Sequence, residues 1–211
     1  MCSNYQPPSP ETLIAWGLDI AAGQALARER VYPGQAGPVI TSQDPGKVVY
    51  GSFGLVPHWA TEGLARRTYN ARSETVASKP SFRSAWRSGQ LAVIPVQAFF
   101  EPCYVSGKAE WWKIGRRDGR PFGLAGIWER RLDDPGVTRW SFSMLTINAE
   151  GHPLMGRFHA PGDEKRSVVV LDEDDWLGWL NAANDAERRG RLQLMEPDAF
   201  VAEAAPRASR G

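Results

Sequence analysis

Hydrophobic positions along this chain fall in short runs. Between residues 11 and 30, Leu13, Ile14, Trp16, Leu18, Ile20 and Leu26 recur among small and charged residues. That spacing predicts a helix over residues 11–30, after a proline-rich opening. Beyond it the period shortens. Val48-Val49-Tyr50 and Ser52-Phe53-Gly54-Leu55-Val56 predict a strand pair ended by Pro57, which has no N–H to give to a ladder. Residues 91–94 read as a short buried strand stopped by Pro95, and residues 97–101 as another ending at Pro102. Residues 110–114 and 122–128 flank a turn-rich stretch and predict a hairpin. Residues 140–147 and 167–171 complete the strands. Residues 172–181 predict a helix, with Asp172 as its cap and Glu173, Asp174 and Asp175 complementing the dipole of the first turn.

From residue 203 onward the chain is Ala, Pro, Arg, Ser and Gly, which predicts a mobile tail over 203–211 and a domain over 2–202. Short strands at hairpin spacing with a few helices predict an α+β fold. It would be a single domain with a curved, barrel-like antiparallel sheet and peripheral helices. No internal repeat, glycine-rich phosphate loop or spaced Cys/His cluster occurs, so neither a nucleotide enzyme nor a structural zinc protein is indicated. No cofactor and no metal are expected.

With 211 residues, 42% of them hydrophobic, and 9 tryptophans, the chain is not a disordered one. At this length folding buries about 70% of the unfolded surface, so one core suffices. No run approaches the ~20 apolar residues that cross a bilayer, and the polar start lacks the regions of a signal peptide. A cytoplasmic location, no membrane partner and a monomer are expected. Cys2 and Cys103 are the two cysteines, expected as free thiols.

The net charge of +1 hides a polarity. Residues 1–60 carry 3 basic and 4 acidic residues, 61–131 carry 13 and 6, and 132–211 carry 9 and 14. Arginine outnumbers lysine by 20 to 5, and the planar guanidinium is the better fork for phosphate oxygens. The middle third therefore suits an anionic ligand, or equally a solvated basic face balanced by the acidic end.

Cys2 is the unusual residue. Cysteine is small enough for Met1 to be removed before it, which leaves an α-amine and a thiol on adjacent carbons. Such a 1,2-aminothiol condenses with an aldehyde to an imine and closes as a thiazolidine. With a reference pKa of about 7.7–8.0, the amine is partly neutral near neutrality. Tyr69 to Thr75 gathers amide, guanidinium, hydroxyl and carboxylate in one polar run, which also fits a hydrogen-bonded loop or helix cap. Glu101 stands between Phe99-Phe100 and Pro102-Cys103-Tyr104, an apolar setting that suits general acid and base work. Any imidazole role falls to His58, His152 or His159.

The order Met1-Cys2, Gly54-Leu55-Val56-Pro57-His58-Trp59, Asn70-Ala71-Arg72-Ser73-Glu74-Thr75, Phe82-Arg83, Ile94-Pro95 leading to Phe99-Phe100-Glu101, and Ala125-Gly126-Ile127-Trp128-Glu129 resembles the SRAP family. These are the SOS-response-associated peptidases, or abasic site processing proteins, and the likeness runs from Cys2 to about residue 180. The resemblance implies a DNA-damage function. Such a protein binds single-stranded DNA, or single-strand to duplex junctions, and becomes nucleoid-associated when on DNA. It crosslinks covalently to the ring-opened aldehyde of an abasic site through a thiazolidine at Cys2, a lyase-type chemistry. Removal of Met1 by the protein itself would explain the word peptidase. By motif, Cys2 is the nucleophile, Asn70 orients its terminus and Glu101 shuttles protons.

The chain departs from the family at three places. It begins Cys2-Ser3-Asn4-Tyr5 in place of Cys-Gly-Arg-Tyr, and Pro102 follows Glu101 where the family has tryptophan. The His-x-Arg-Met-Pro motif is replaced by a run from His159 to Ser167, with Arg166 displaced along it. His159 is taken as the residue that protonates the sugar oxygen, with His152 as the alternative. Arg66, Arg67, Arg72, Arg83 and Arg87 are candidate phosphate contacts, and Trp59 and Trp86 are candidate platforms for an unpaired base. Two other readings fit the same residues: a cysteine peptidase or amidohydrolase using Cys2 without DNA, and a non-covalent single-strand binding module.

Overall fold

The computed structural model describes residues 2–20, 28–134 and 136–205. After β1 (Tyr5–Gln6), Ser9 starts α1 (Pro10–Ala15) by accepting the Thr12 N–H at 3.3 Å, with Pro10 in the first turn. Gly17, at φ 76°, ends it in the left-handed conformation that glycine adopts without penalty. β2 (Asp19–Ile20) follows directly, so the helix expected over residues 11–30 stops at Ala15, and residues 21–27 lie outside the described ones.

β3 (Ala36–Thr41) and β4 (Asp44–Phe53) form an antiparallel pair. The strand pair expected within residues 48–56 is instead the single strand β4, paired with a β3 that hydrophobic patterning did not reveal. A 3-10 turn (Glu62–Arg67), β5 (Asn70–Arg72) and α2 (Arg83–Arg87) lead to β6 (Leu91–Val96) and β7 (Ala98–Cys103). β6 runs through Pro95, the residue expected to stop it. At Pro95 only β9 (Phe122–Asp134) is paired, through Gly123, while the β3 pairing ends at Val93. The missing N–H therefore costs no ladder bond on the β3 side.

β8 (Glu110–Arg116) does not form the expected hairpin with β9. It pairs with β7 on one side and with β13 (Phe200–Ala204) on the other, while β9 joins β6 and β10 (Val137–Asn148). The turn after β8 thus carries the chain from one sheet to the other. β11 (Arg166–Val168) and β12 (Val170–Leu171) follow. α3 (Trp176–Leu180) continues a 3-10 turn, and the Asp172 carboxylate bonds Arg116 Nη1 at 2.6 Å instead of capping. α4 (Asp185–Gly190) is capped by Asn184, which accepts the Glu187 N–H at 3.0 Å.

Strands β10, β4, β3, β6 and β9 close into a five-stranded barrel, because β9 also pairs with β10. A second sheet runs β1-β7-β8-β13. The fold is a single α+β domain, mostly antiparallel, with β10 taking β4 and β5 as parallel neighbours. All six residues of β6 are buried because alternate side chains enter two clusters. Ala92, Ile94 and Val96 join Phe53, Phe142, Met144 and the second sheet. Leu91 and Val93 join Leu13, Trp86, Trp176 and Trp179 beneath the helices.

β13 extends to Ala204, and the Ala205 N–H bonds Trp111 O at 2.8 Å, so the tail expected from residue 203 starts inside a paired strand. Residues 206–211 lie outside the described ones. Among the described residues no helix is long and apolar enough to cross a membrane.

Candidate active site

Register brings the N-terminus to Glu101. Tyr5 pairs with Phe99 and Gln6 with Ala98, and the Phe100 N–H bonds Asn4 O at 3.1 Å one step further along. Cys2 lies just beyond, 1% exposed, its thiol donating to Asn4 O at 3.4 Å. From β5, held beside β10 by the Met144 to Asn70 register, Asn70 Nδ2 donates to the Cys2 carbonyl at 2.7 Å. Two residues 68 apart in sequence are thus joined by one buried hydrogen bond.

Glu101 is 1% exposed, and His159 Nε2 approaches its Oε2 at 3.3 Å. That approach lacks hydrogen-bond alignment, so both ring nitrogens of His159 are buried without a hydrogen-bond partner, as are Asn4 Oδ1, Asn70 Oδ1 and Trp112 Nε1. Unsatisfied buried polar atoms are rare in native structures, and a catalytic role is one of the reasons for them. His159 sits at φ 68°, the one non-glycine residue with positive φ among those described. Its N–H bonds Pro102 O at 2.9 Å, its carbonyl accepts from Lys165 Nζ at 3.2 Å, and the preceding Phe158 bridges to Cys103. Surrounding contacts therefore hold a conformation that costs about 1–2 kcal/mol in isolation.

His152 is used differently. Its Nδ1 accepts the Leu154 and Met155 N–H groups at 3.2 and 3.0 Å, which leaves Nε2 to donate to Met195 O at 2.8 Å. Both ring nitrogens serve the backbone, so of the two histidines only His159 adjoins Glu101. His58 is exposed, beside Arg130, Arg131 and Leu132.

Burial pushes the Cys2 thiol far above its ordinary pKa, and the neighbouring Glu101 carboxylate adds to the rise. Half-buried Tyr69 is raised by burial first, then by Cys2 and Glu101. The thiol is thus kept as S–H. Among the described residues no group of three or more His, Cys, Asp or Glu side chains is placed to hold a metal ion.

The candidate DNA contacts divide. Arg66, Arg67, Arg72, Arg83 and Arg87 are exposed, and Trp59 is 58% exposed. Trp86 is 1% exposed, its Nε1 donating to Asp185 Oδ1 at 2.6 Å and its ring packed in the cluster with Trp179. No ring face is left for a base, which corrects the expectation for Trp86. Arg83 and Arg87 share α2 with it. Arg66 lies instead against Gly34, at the edge of a cavity of about 310 Å³ lined by Tyr50, Arg131, Arg139 and Trp140. Arg166, the displaced motif arginine, is 2% exposed and paired with Glu74 and Glu164. Sequence reasoning missed Asn4 and Trp112 at the site. Trp112 is placed opposite Glu101 by the β7–β8 register, which no local pattern reports.

A family model described as SOS response associated peptidase (SRAP) matches residues 1–206. The abasic site processing protein YoaM of Bacillus subtilis (strain 168) is 29% identical over 154 residues, covering 72% of this chain and 64% of YoaM. The abasic site processing protein YobE of the same organism is 30% identical over 154 residues, covering 72% of this chain and 67% of YobE. The chain therefore spans a little under two thirds of YoaM. An X-ray structure of a Bordetella bronchiseptica protein superposes with a TM-score of 0.86 at 34% identity, covering 97% of this chain and 99% of that one. One from Bacteroides thetaiotaomicron gives a TM-score of 0.82 at 23% identity, covering 98% and 93%, and shares the fold.

Proposed function

The chain belongs to the SRAP family, and from that premise we propose that it processes abasic sites in DNA, bonding covalently through Cys2 to the ring-opened aldehyde of the lesion in single strands or at junctions. One observation carries the reading: the 2.7 Å hydrogen bond from Asn70 to the Cys2 carbonyl, made beside the buried Glu101 and His159. The relatives YoaM and YobE bear the name abasic site processing protein, which supports the substrate.

Hydrolysis of the Met1–Cys2 peptide bond, carried out by the chain itself, consumes one water, releases methionine and turns the Cys2 nitrogen into a primary amine. His159 donates a proton to the sugar ring oxygen as the C1′–O4′ bond breaks, and the C1′ hydroxyl proton returns to it through Glu101, which leaves the aldehyde. The amine attacks C1′, and Glu101 relays the amine proton to the departing hydroxyl, so that one water leaves and an imine forms. The thiol then adds to the imine carbon, and its proton passes to the nitrogen. From the primary amine onward one water is lost and no electrons are exchanged. A thiol held protonated by burial favours this order, with nitrogen first and sulfur second. A peptidase acting on other amides would need Cys2 as a thiolate, which the same burial opposes.

Intact mass spectrometry of the protein, alone and after incubation with an oligonucleotide carrying an aldehydic abasic site, tests the proposal. The expected protein begins at Cys2 and gains the mass of the strand less one water. Cys2→Ala gains nothing, and Glu101→Gln forms the adduct on the order of 10²-fold more slowly. A mature wild type that never acquires the strand sinks the proposal.

A further inference from the structure

His159 lies beside Glu101 with its backbone at φ 68°. A φ angle is fixed when the amide before it and the carbonyl after it are both held, and for a residue with a Cβ this value needs outside support. The amide side is held by β7. There the His159 N–H bonds Pro102 O at 2.9 Å, next to Glu101 itself, and Phe158 bridges to Cys103. The carbonyl side is held by Lys165, whose Nζ donates to His159 O at 3.2 Å and to Ala160 O at 3.1 Å.

Lys165 can act as a post because its own backbone is tied down. Its carbonyl accepts the Ala149 N–H at 2.8 Å, and Arg166 after it pairs with Asn148 at the start of β11. Glu164 before it takes Arg72 Nη1 at 2.7 Å and Asn148 Nδ2 at 3.2 Å. The Lys165 side chain is half-buried, so water competes poorly for the two carbonyls. It falls in the lengthened run that separates His159 from Arg166, while Arg166 is committed to Glu74 and Glu164. That run therefore returns a cation to the backbone of the histidine from which it departs.

We propose that Lys165 is a positioning residue for His159: by gripping the carbonyls of His159 and Ala160 it keeps the imidazole at the Glu101 carboxylate, and so sets the rate of sugar ring opening without touching the lesion. The inference rests on the covalent reading above and adds to it a residue that no motif marks. Without the ammonium the His159 carbonyl turns, φ returns to the negative range and the ring swings away from Glu101. Imine formation at Cys2 and Glu101 keeps its groups, so only a lesion that has to be opened is affected.

Two strands separate the steps. One carries a natural abasic site, closed as the cyclic hemiacetal, and the other an acyclic aldehyde at the same position, which has no ring to open. Single-turnover crosslinking at saturating strand is followed on denaturing gels and by intact mass. Lys165→Met is expected to crosslink the cyclic lesion on the order of 10-fold more slowly and the acyclic aldehyde at the wild-type rate. Lys165→Arg, which keeps a charged donor of similar reach, should recover most of the loss. In a His159→Ala background Lys165→Met should slow the cyclic lesion no further, because the group it positions is gone. A merely structural lysine would slow both strands and add to the loss in that background. Histidine ring NMR gives a reading free of DNA: with 3 histidines in the chain, the His159 signals should move in Lys165→Met while those of His58 and His152 stay.

A cyclic lesion crosslinked as fast as by wild type, both strands slowed alike, or unmoved His159 signals would each overturn the proposal. If Lys165→Met melts below the assay temperature, Lys165→Gln, a shorter neutral donor, is judged by the same outcomes. A wild type that bonds to neither strand, yet whose His159 signals move in Lys165→Met, sinks the covalent reading and leaves the hold on His159 standing.

Discussion

Cys2 is surrounded by its own backbone neighbours, the amide of Asn70 and the carboxylate of Glu101, and its thiol is bonded to Asn4 O. The folded protein therefore holds the thiol proton more tightly than the unfolded chain, whose thiol ionises near pH 9.0. Above that pH the unfolded state releases a proton that the folded state keeps. Stability must then fall as pH rises, by up to about 1.4 kcal/mol per pH unit from this group, while below it the group adds no pH dependence. Urea unfolding of wild type and Cys2→Ser between about pH 8 and 10 should show the shallower decline in the variant. Parallel declines would mean that the thiol is not shielded in solution. His159 illustrates the other side of the residue scale. Its identity marked it as a candidate, but only contacts made by Pro102, Cys103 and Lys165 hold it at φ 68° beside Glu101.

Among the elements, the motif from Gly54 to Trp59 owes its first residue to packing. Gly54 has φ 127°, outside the range that side chains adopt readily, and a Cβ there would overlap the Ala65 carbonyl in the following 3-10 turn. Gly54→Ala combines backbone strain with overpacking and should cost about 3 kcal/mol or more in chemical denaturation. A loss under about 1 kcal/mol would show that the turn moves away freely. The neighbouring 3-10 turn carries Arg66 and Arg67, so the substitution should disturb that basic segment more than the distant β11. The strands whose apolar runs were legible, β6 and β10 in the barrel and β7 in the second sheet, are largely buried. β3, with Gly37 and Pro38 inside it, was not, because its place is set by β4 and β6 on either side. The hairpin expected around residue 118 failed for a similar reason, since turn composition reports a change of direction and not the partner of the next strand.

At the scale of the whole molecule, the closed barrel links its two hydrophobic clusters through strands whose alternate side chains enter both. Unfolding one cluster exposes the other, so a single cooperative transition is expected. Phe142, fully buried and stacked on Phe53 at 5.5 Å, is a sensitive probe. Phe142→Ala should lower stability by about 3–5 kcal/mol and shift the transition seen by circular dichroism and by tryptophan fluorescence together. Separated transitions would mean that the helices over the outer cluster unfold apart from the barrel.

Residue order alone shows which chemistry is available: a cysteine at the second position, the Asn70 and Arg72 run, a glutamate among aromatic residues, and strand-length apolar runs that exclude a helical bundle. These are local properties, carried by residue type and spacing. Long-range packing sets which arginines are paired with carboxylates, puts Trp86 in the core, and brings His159 rather than His152 next to Glu101. Those outcomes depend on strand register and on ion pairs between residues up to 92 positions apart, as Arg166 with Glu74. Distances of that kind are set by barrel closure, and no window along the chain contains them.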